Sequence, residues 1–460
     1  MNSDEKSFPW MRHPDAEKFV CSLLAHFVDA IPGLKNFESR LREETSTRLL
    51  DWTDHILIAQ GKKTRQELLD LGFEEERVPV QPGGTVYVHK GTILPRIVLE
   101  DSTNAMADKP LSLALRVERV EHFLMAQGVH APIEGSVLSP FRRAKIFDTG
   151  NAALLAVERR GYAGFLPAEK PADDAAKYLG ALETWMTRPR RFENPMEGMN
   201  ETKELAERLV EEVGRDTAAW IVFEAERIYW ANRNRAGAVQ KRRQDRVGLG
   251  WANQDHHTFR SSRKAFTLLI QILETLGFEL REKFYAGAEA GWGAQVLEHP
   301  ACQIMIFADV DLAAEELFMD HAHEPLPARK SLGTVGLWCA LHGESMLEAG
   351  LHHLAARFDF DALTRDLADE QVRFLEPFSD FTHLKQAFTG GERWQVPDER
   401  LRLLVANGKI DEEQYRFFVQ KAAVGSHMEN IERNEGFKGF NQHSVSDIIR
   451  RTDPRADAGA

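Results

Sequence analysis

The chain has 460 residues, 58 Lys+Arg against 71 Asp+Glu, and a formal net charge of −13. So acidic a surface repels phosphate backbones, and Lys241-Arg242-Arg243 is too short a basic cluster to offset it, which argues against nucleic-acid binding. Its apolar runs, such as Phe266 to Leu276, are too short for a membrane span, and its three cysteines form neither a CxxC nor an even set. The opening stretch MNSDEKSFPW lacks the basic and apolar regions of a signal peptide, so a cytoplasmic location is expected. Seventeen histidines are the conspicuous count.

The chain alternates strand-like and helix-like segments, and their order repeats. Trp52 to Ile58 is an extended apolar run carrying Asp54-His55, followed by a helix that Gly72 stops within Leu69-Asp70-Leu71-Gly72-Phe73. Strands are expected at Thr85 to His89 and Ile93 to Leu99. The same plan returns at Gln254-Asp255-His256-His257-Thr258-Phe259. A helix there ends Leu276-Gly277-Phe278, and strands follow at Gln295 to Leu297 and Gln303 to Phe307. Leu111 to Arg116 before a helix at Val120 to Gln127 corresponds to Leu351 to Arg357 before a helix at Phe360 to Asp369. Val157 to Phe165 corresponds to Ile431 to Phe440. The spacing predicts a tandem duplication of roughly 200 residues, each copy made of two βαβββ-like modules. Residues 45–170 form the first copy and 250–452 the second, an α+β architecture. A helix-rich connector, 171–245, contains helices from Pro171-Ala172 and Asn200-Glu201 and one long helix or two over Asp216 to Arg243. Its aromatics Trp220, Phe223, Tyr229 and Trp230 are expected to face the core or the domain interface. Residues 453–460 are expected to be a frayed tail.

On a strand, His256 and Arg260 share a face and His257 takes the other. His353 and Arg357 repeat this His-x-x-x-Arg pattern, with His352 facing away. Ser426 to Arg433 is expected to be a final strand with His427, Glu429 and Ile431 on one face. Two inward histidines and one inward carboxylate form a ligand set that holds Fe(II) with positions open for O2 and a bidentate substrate. The carboxylate is Glu429 or, with a one-residue slip of register, Glu432. Arg260 and Arg357, if inward, offer guanidinium forks to a substrate carboxylate. His321 and His323 are expected to be loop residues.

On these motifs the sequence resembles the vicinal oxygen chelate superfamily, and within it the 2-oxo acid dioxygenases. Asp255-His256, His353, Glu429 to Arg433 and the following Gly436-Phe437-Lys438-Gly439-Phe440-Asn441 are similar to the marks of 4-hydroxyphenylpyruvate dioxygenases, as is a helix from about Ser444 to Arg451. The two His-x-x-x-Arg strands resemble those of 2-oxoadipate dioxygenase/decarboxylases. The resemblance covers roughly residues 250–452, with a weaker echo at 50–165, and places aromatic residues such as Phe437 and Phe440 at the cavity wall. It implies metal ligands His256, His353 and Glu429, Fe(II) as cofactor and O2 as co-substrate. The implied reaction is oxidative decarboxylation and hydroxylation of a small 2-oxo acid, with the arginines favouring a dicarboxylic one. Other metal-dependent reactions of the superfamily (extradiol ring cleavage, isomerisation) and non-enzymatic ligand binding are the alternatives. In the first copy, His55 stands for His256, but Ala59, Ser112 and about Leu155 replace Arg260, His353 and Glu429. One ligand of three is too few for a site, so that half is expected to be structural.

Overall fold

In the computed structural model the described residues are 10–101, 110–441 and 453–455. They build two mixed sheets, one per repeat, with helices packed against them. The first sheet contains β1 (Thr53–Gln60), β2 (Glu74–Glu76), β3 (Gly84–Val88), β4 (Arg96–Asp101), β5 (Pro110–Arg116), β6 (Ile133–Glu134), β7 (Phe141–Asp148) and β8 (Ala153–Arg159). Their order is β2-β3-β4-β1-β5-β8-β7-β6. The second contains β9 (Gln254–Arg260), β10 (Glu279–Tyr285), β11 (Trp292–His299), β12 (Ile304–Asp311), β13 (His353–Arg357), β14 (Ser379–Phe381), β15 (Leu384–Phe388), β16 (Glu392–Trp394) and β17 (Ala423–Arg433). Its order is β10-β11-β12-β9-β13-β17-β15-β14, with β16 also on β17.

Each sheet is two βαβββ modules joined by an antiparallel pair, β1 with β5 and β9 with β13. Within each module the first and last strands run parallel, as in β1 with β4 and β13 with β17. Gly72 and Gly277 end the crossover helices Lys62–Asp70 and Phe266–Thr275 at φ +88° and +93°. That left-handed backbone is open to glycine without penalty, which is why Leu-Gly-Phe marks both places. The predicted strand at Ile93 begins only at Arg96, since Pro95 lacks the N–H a ladder needs. The predicted strand start at Gln303 is instead a turn, with φ +56°.

The connector is four helices: Ala172–Thr187, Pro195–Val213, Arg215–Ala231 and Arg235–Arg246. The span from Asp216 to Arg243 is thus two helices, interrupted where Asn234 turns extended and caps the second by accepting from the Gly237 N–H. Trp220, Phe223 and Trp230 are buried in a core shared with Phe259, Leu354 and Ala356 of the second sheet. Tyr229 donates its hydroxyl to the Glu348 carbonyl. A separate core fills the first half. Of the predicted tail, Asp453 is tied to the Thr334 hydroxyl. The predicted helix from about Ser444 to Arg451 lies outside the described residues. Among the described residues no helix is long and apolar enough to cross a membrane.

One buried ion cluster fastens the connector to the segment that leads into β13. Glu226 Oε1 accepts from Arg188, Arg190 and the Trp185 indole, each at 2.8 Å. The two guanidiniums continue to the carbonyls of Met346 and Leu347. Burial would raise the Glu226 carboxyl, but the two arginines outweigh it and hold it at about 2. Its folded pKa is depressed, so its stabilisation is complete above about 4.5 and is lost as the pH falls toward about 2. Glu226→Gln strands two buried guanidiniums and is expected to cost about 3–5 kcal/mol at pH 7. Urea unfolding checks this, and the gap to wild type should narrow as the pH is lowered through that window.

Candidate metal centre

β9 and β13 lie side by side, and β17 lies next to β13. The register places His256 opposite Ala355, and Ala355 opposite Glu429. Alternation sends His256, Thr258 and Arg260 to one face of β9, while His257 and Phe259 pack under the connector, His257 edge-on to Phe223. His256, His353 and Glu429 are all buried, and their donor atoms lie within 4.8 Å of one another. Glu429 Oε2 is 3.2 Å from His256 Nε2 and 3.1 Å from His353 Nε2, and the two Nε2 atoms are 3.3 Å apart. Two imidazoles and a carboxylate converging in this way form a facial donor set that fits a borderline divalent metal.

Glu432 is excluded from this face. It caps the helix Phe360–Asp369 through the Phe360 N–H and pairs with Arg48.

Supporting groups fix each donor. Asp255 holds His256 Nδ1 at 3.1 Å, and Arg433 grips Asp255 with two N–H donors at 2.8 and 3.1 Å. Gln386 on β15 donates to Glu429 Oε1 at 2.8 Å, and the Thr258 hydroxyl meets His353 Nε2 at 2.8 Å. Burial would lower His256, but Glu429 and Asp255 prevail and push it up to about 9. Burial dominates at His353 and pushes it down to about 4. Burial would raise Glu429, but the His256 charge and both histidine hydrogen bonds hold it at about 2. A divalent cation would compete with protons for these donors, so its binding is expected to be pH-dependent.

The donors open onto a cavity of about 60 Å³ walled by Phe284, Trp292, Phe307, Phe378, Phe388 and Phe440. Phe440 sits edge-on to His256 at 5.2 Å and to Phe307 at 4.6 Å. Phe437 instead packs with Ala355, Leu384 and Ile431. Arg260 lines the cavity, as do Asp309 and His352. His352 was expected to face away; it precedes the first residue of β13, so strand alternation does not govern it.

Arg357 requires the larger correction. It does not line this cavity but a second one between the halves, where it donates to the Asp51 carbonyl. β13 keeps a regular register on β17 as far as Arg357, but it runs antiparallel to β9, so the step from His353 to Arg357 leads away from Arg260 toward the other end of the sheet. His427 turns its Nδ1 to the Thr389 carbonyl. His321 is buried against Phe266, and His323 is an exposed loop residue between Asp320 and Glu274. Asp309, Gln386 and Thr258 also face the donors, and no motif in the sequence marks them.

The first half repeats the scaffold without the donors. Ser112 and Leu155 occupy the register positions of His353 and Glu429. Asp54 still holds His55 at 2.7 Å, and Arg159 still grips Asp54 at 2.7 and 2.8 Å. Burial pushes His55 below its ordinary value, the reverse of His256, because no glutamate faces it.

The strand order of paired βαβββ modules, occurring twice, decides the architecture. The chain has the vicinal oxygen chelate fold. No family model matches the chain, and no curated protein does. Among solved structures, it is similar to a triple mutant of 4-hydroxymandelate synthase from Streptomyces coelicolor at 13% identity, covering 88% of this chain and 97% of that one, with a TM-score of 0.28. A putative hydrolase from Shewanella frigidimarina matches at 14% identity, 48% and 96% coverage, and a TM-score of 0.34. Methylmalonyl-CoA epimerase from Mycobacterium tuberculosis matches at 16% identity, 40% and 88% coverage, and a TM-score of 0.23.

Proposed function

We propose that this protein is a non-haem Fe(II) dioxygenase that oxidatively decarboxylates and hydroxylates a 2-oxo acid. The observation that carries the reading is the convergence of His256, His353 and Glu429 on the wall of an aromatic-lined cavity. Fe(II) held by these three would supply O2 activation and chelation of the 2-oxo acid head.

The chain's own residues do the rest. Asp255, fixed by Arg433, sets the orientation of His256, and Gln386 keeps Glu429 Oε1 directed. The aromatic wall suits the apolar part of a compact substrate. Arg260 is buried with Nε and Nη1 lacking hydrogen-bond partners, and its nearest carboxylate, Asp309, is 3.7 Å away. Burial pushes the Asp309 carboxyl up despite Arg260, which weakens it as a partner for the guanidinium. The guanidinium is thereby left available for a carboxylate of the substrate, which favours a dicarboxylic 2-oxo acid.

The test combines metal analysis of the purified protein with O2 uptake and CO2 release over a panel of mono- and dicarboxylic 2-oxo acids. Iron-dependent uptake matched by CO2 release is expected. Arg260→Gln should lower kcat/KM for a dicarboxylic acid roughly 10- to 100-fold, the loss of one charge-assisted contact, and should affect a monocarboxylic one less. Iron-loaded protein that consumes no O2 with any acid in the panel would overturn the reading.

A further inference from the structure

Between the two halves lies a second cavity of about 420 Å³, separate in its chemistry from the aromatic one. Its walls are charged, and most of those charges are already matched. Asp51 is paired with Arg48, Asp54 with Arg159, Asp255 with Arg433, Glu76 with Arg96, and Glu298 with Lys438. Glu279 stands at the exposed rim.

Two cations are left over. Arg116 reaches only neutral oxygens, Gln303 Oε1 at 2.9 Å and the Cys302 carbonyl at 3.5 Å. Arg357 reaches the Asp51 carbonyl at 3.2 Å, and its buried Nε has no hydrogen-bond partner. Neither makes an ion pair with a carboxylate among the described residues. Burial weighs most on both, pushing Arg116 down to about 10 and Arg357 in the same direction; Asp54 opposes this at Arg116, and Asp51 and Asp255 at Arg357, while the charges of Arg159 and Arg357 add to it at Arg116.

The two are equivalent residues of the repeat. Arg116 ends β5 and Arg357 ends β13, and each lies two residues beyond the alanine that opposes the strand histidine: Ala114 opposite His55, Ala355 opposite His256. The duplication therefore presents one guanidinium from each half to a common space. Repulsion between two poorly compensated cations in a shared cavity is relieved by an anion that both can hold, and guanidinium forks match oxyanions best.

We infer that the cavity between the halves is a binding site for a small dianionic oxyanion, a phosphate group or a short dicarboxylate, held between Arg116 and Arg357. The site is distinct from the aromatic cavity, although Asp255 borders it and also orients His256.

Isothermal titration of the full chain with inorganic phosphate and, separately, with succinate, at low ionic strength, tests this. One saturable site per chain is expected for at least one of the two probes, and which one binds identifies the preferred headgroup. Arg116→Gln and Arg357→Gln should each weaken it about tenfold or more, while Arg260→Gln in the aromatic cavity leaves it unchanged. If Arg357→Gln does not fold, Arg116→Gln, at the less buried position, decides alone. Absence of saturable binding by both probes, or binding undiminished in Arg116→Gln, overturns the inference.

Discussion

Glu429→Ala protein, purified beside wild type without added metal, is expected to hold less than about a tenth of the wild-type metal and to show no 2-oxo acid-dependent O2 uptake. Glu429 is the anionic member of the triad, and both imidazole nitrogens face the same oxygen, Oε2, at 3.1 to 3.2 Å. Removing it leaves two neutral donors in a buried pocket, too few and too weakly charged to offset dehydration of a divalent cation. His256→Ala should behave alike. Glu432→Gln supplies the control: its carboxylate serves Arg48 and the Phe360 N–H on the other side of the sheet, so metal content should match wild type. Unchanged metal content in both Glu429→Ala and His256→Ala would sink the assigned site. The loss should also alter the proton balance. Without the carboxylate, nothing but Asp255 opposes burial at His256, and its pKa should fall from about 9 toward the depressed behaviour of His55, measurable by NMR titration of the metal-free protein.

This comparison also shows what a sequence can reveal and where it stops. Alternation placed His256 and Arg260 on one face and His257 on the other, because β9 is regular from His256 to Arg260. The repeat was equally legible: the positions of Ser112 and Leu155 agree with the register that pairs β5 with β8 and β13 with β17. Arg357 failed because of strand direction. Its offset from His353 equals that of Arg260 from His256, but β13 is antiparallel to β9, so the same offset carries the two arginines toward opposite ends of the sheet, and strand direction leaves no mark in residue spacing. His352 stands one residue before β13, where alternation no longer sets the side chain's face. Asp309 and Gln386 come from β12 and β15, which sequence order keeps remote from the histidines. Only the strand order β12-β9-β13-β17-β15 brings them to the site. Chemistry carried by neighbours in a sheet is invisible until the sheet is assembled.

Arg433→Gln is expected to destabilise the protein by about 3–5 kcal/mol and to lower metal retention as well. Arg433 is fully buried, donates twice to Asp255, and reaches on to the carbonyls of Phe437 and Gly439 while stacking under Phe440 at 4.6 Å. It therefore joins the strand end, the histidine's orienting carboxylate and the turn that brings Phe440 to the cavity wall. The first half contains its own control. Arg159 grips Asp54, donates to Tyr162 and Gly164, and lies 4.8 Å from the Phe165 ring, the same clamp around a histidine that has no metal partners. Arg159→Gln should cost a similar amount in urea unfolding yet leave metal content at the wild-type level. Metal loss of equal size in the two variants would mean that general destabilisation empties the site. Loss confined to Arg433→Gln would show that Asp255 acts on the metal through the orientation of His256. The duplicated scaffold thus separates, within one chain, the part of the clamp that holds the fold from the part that aims a ligand.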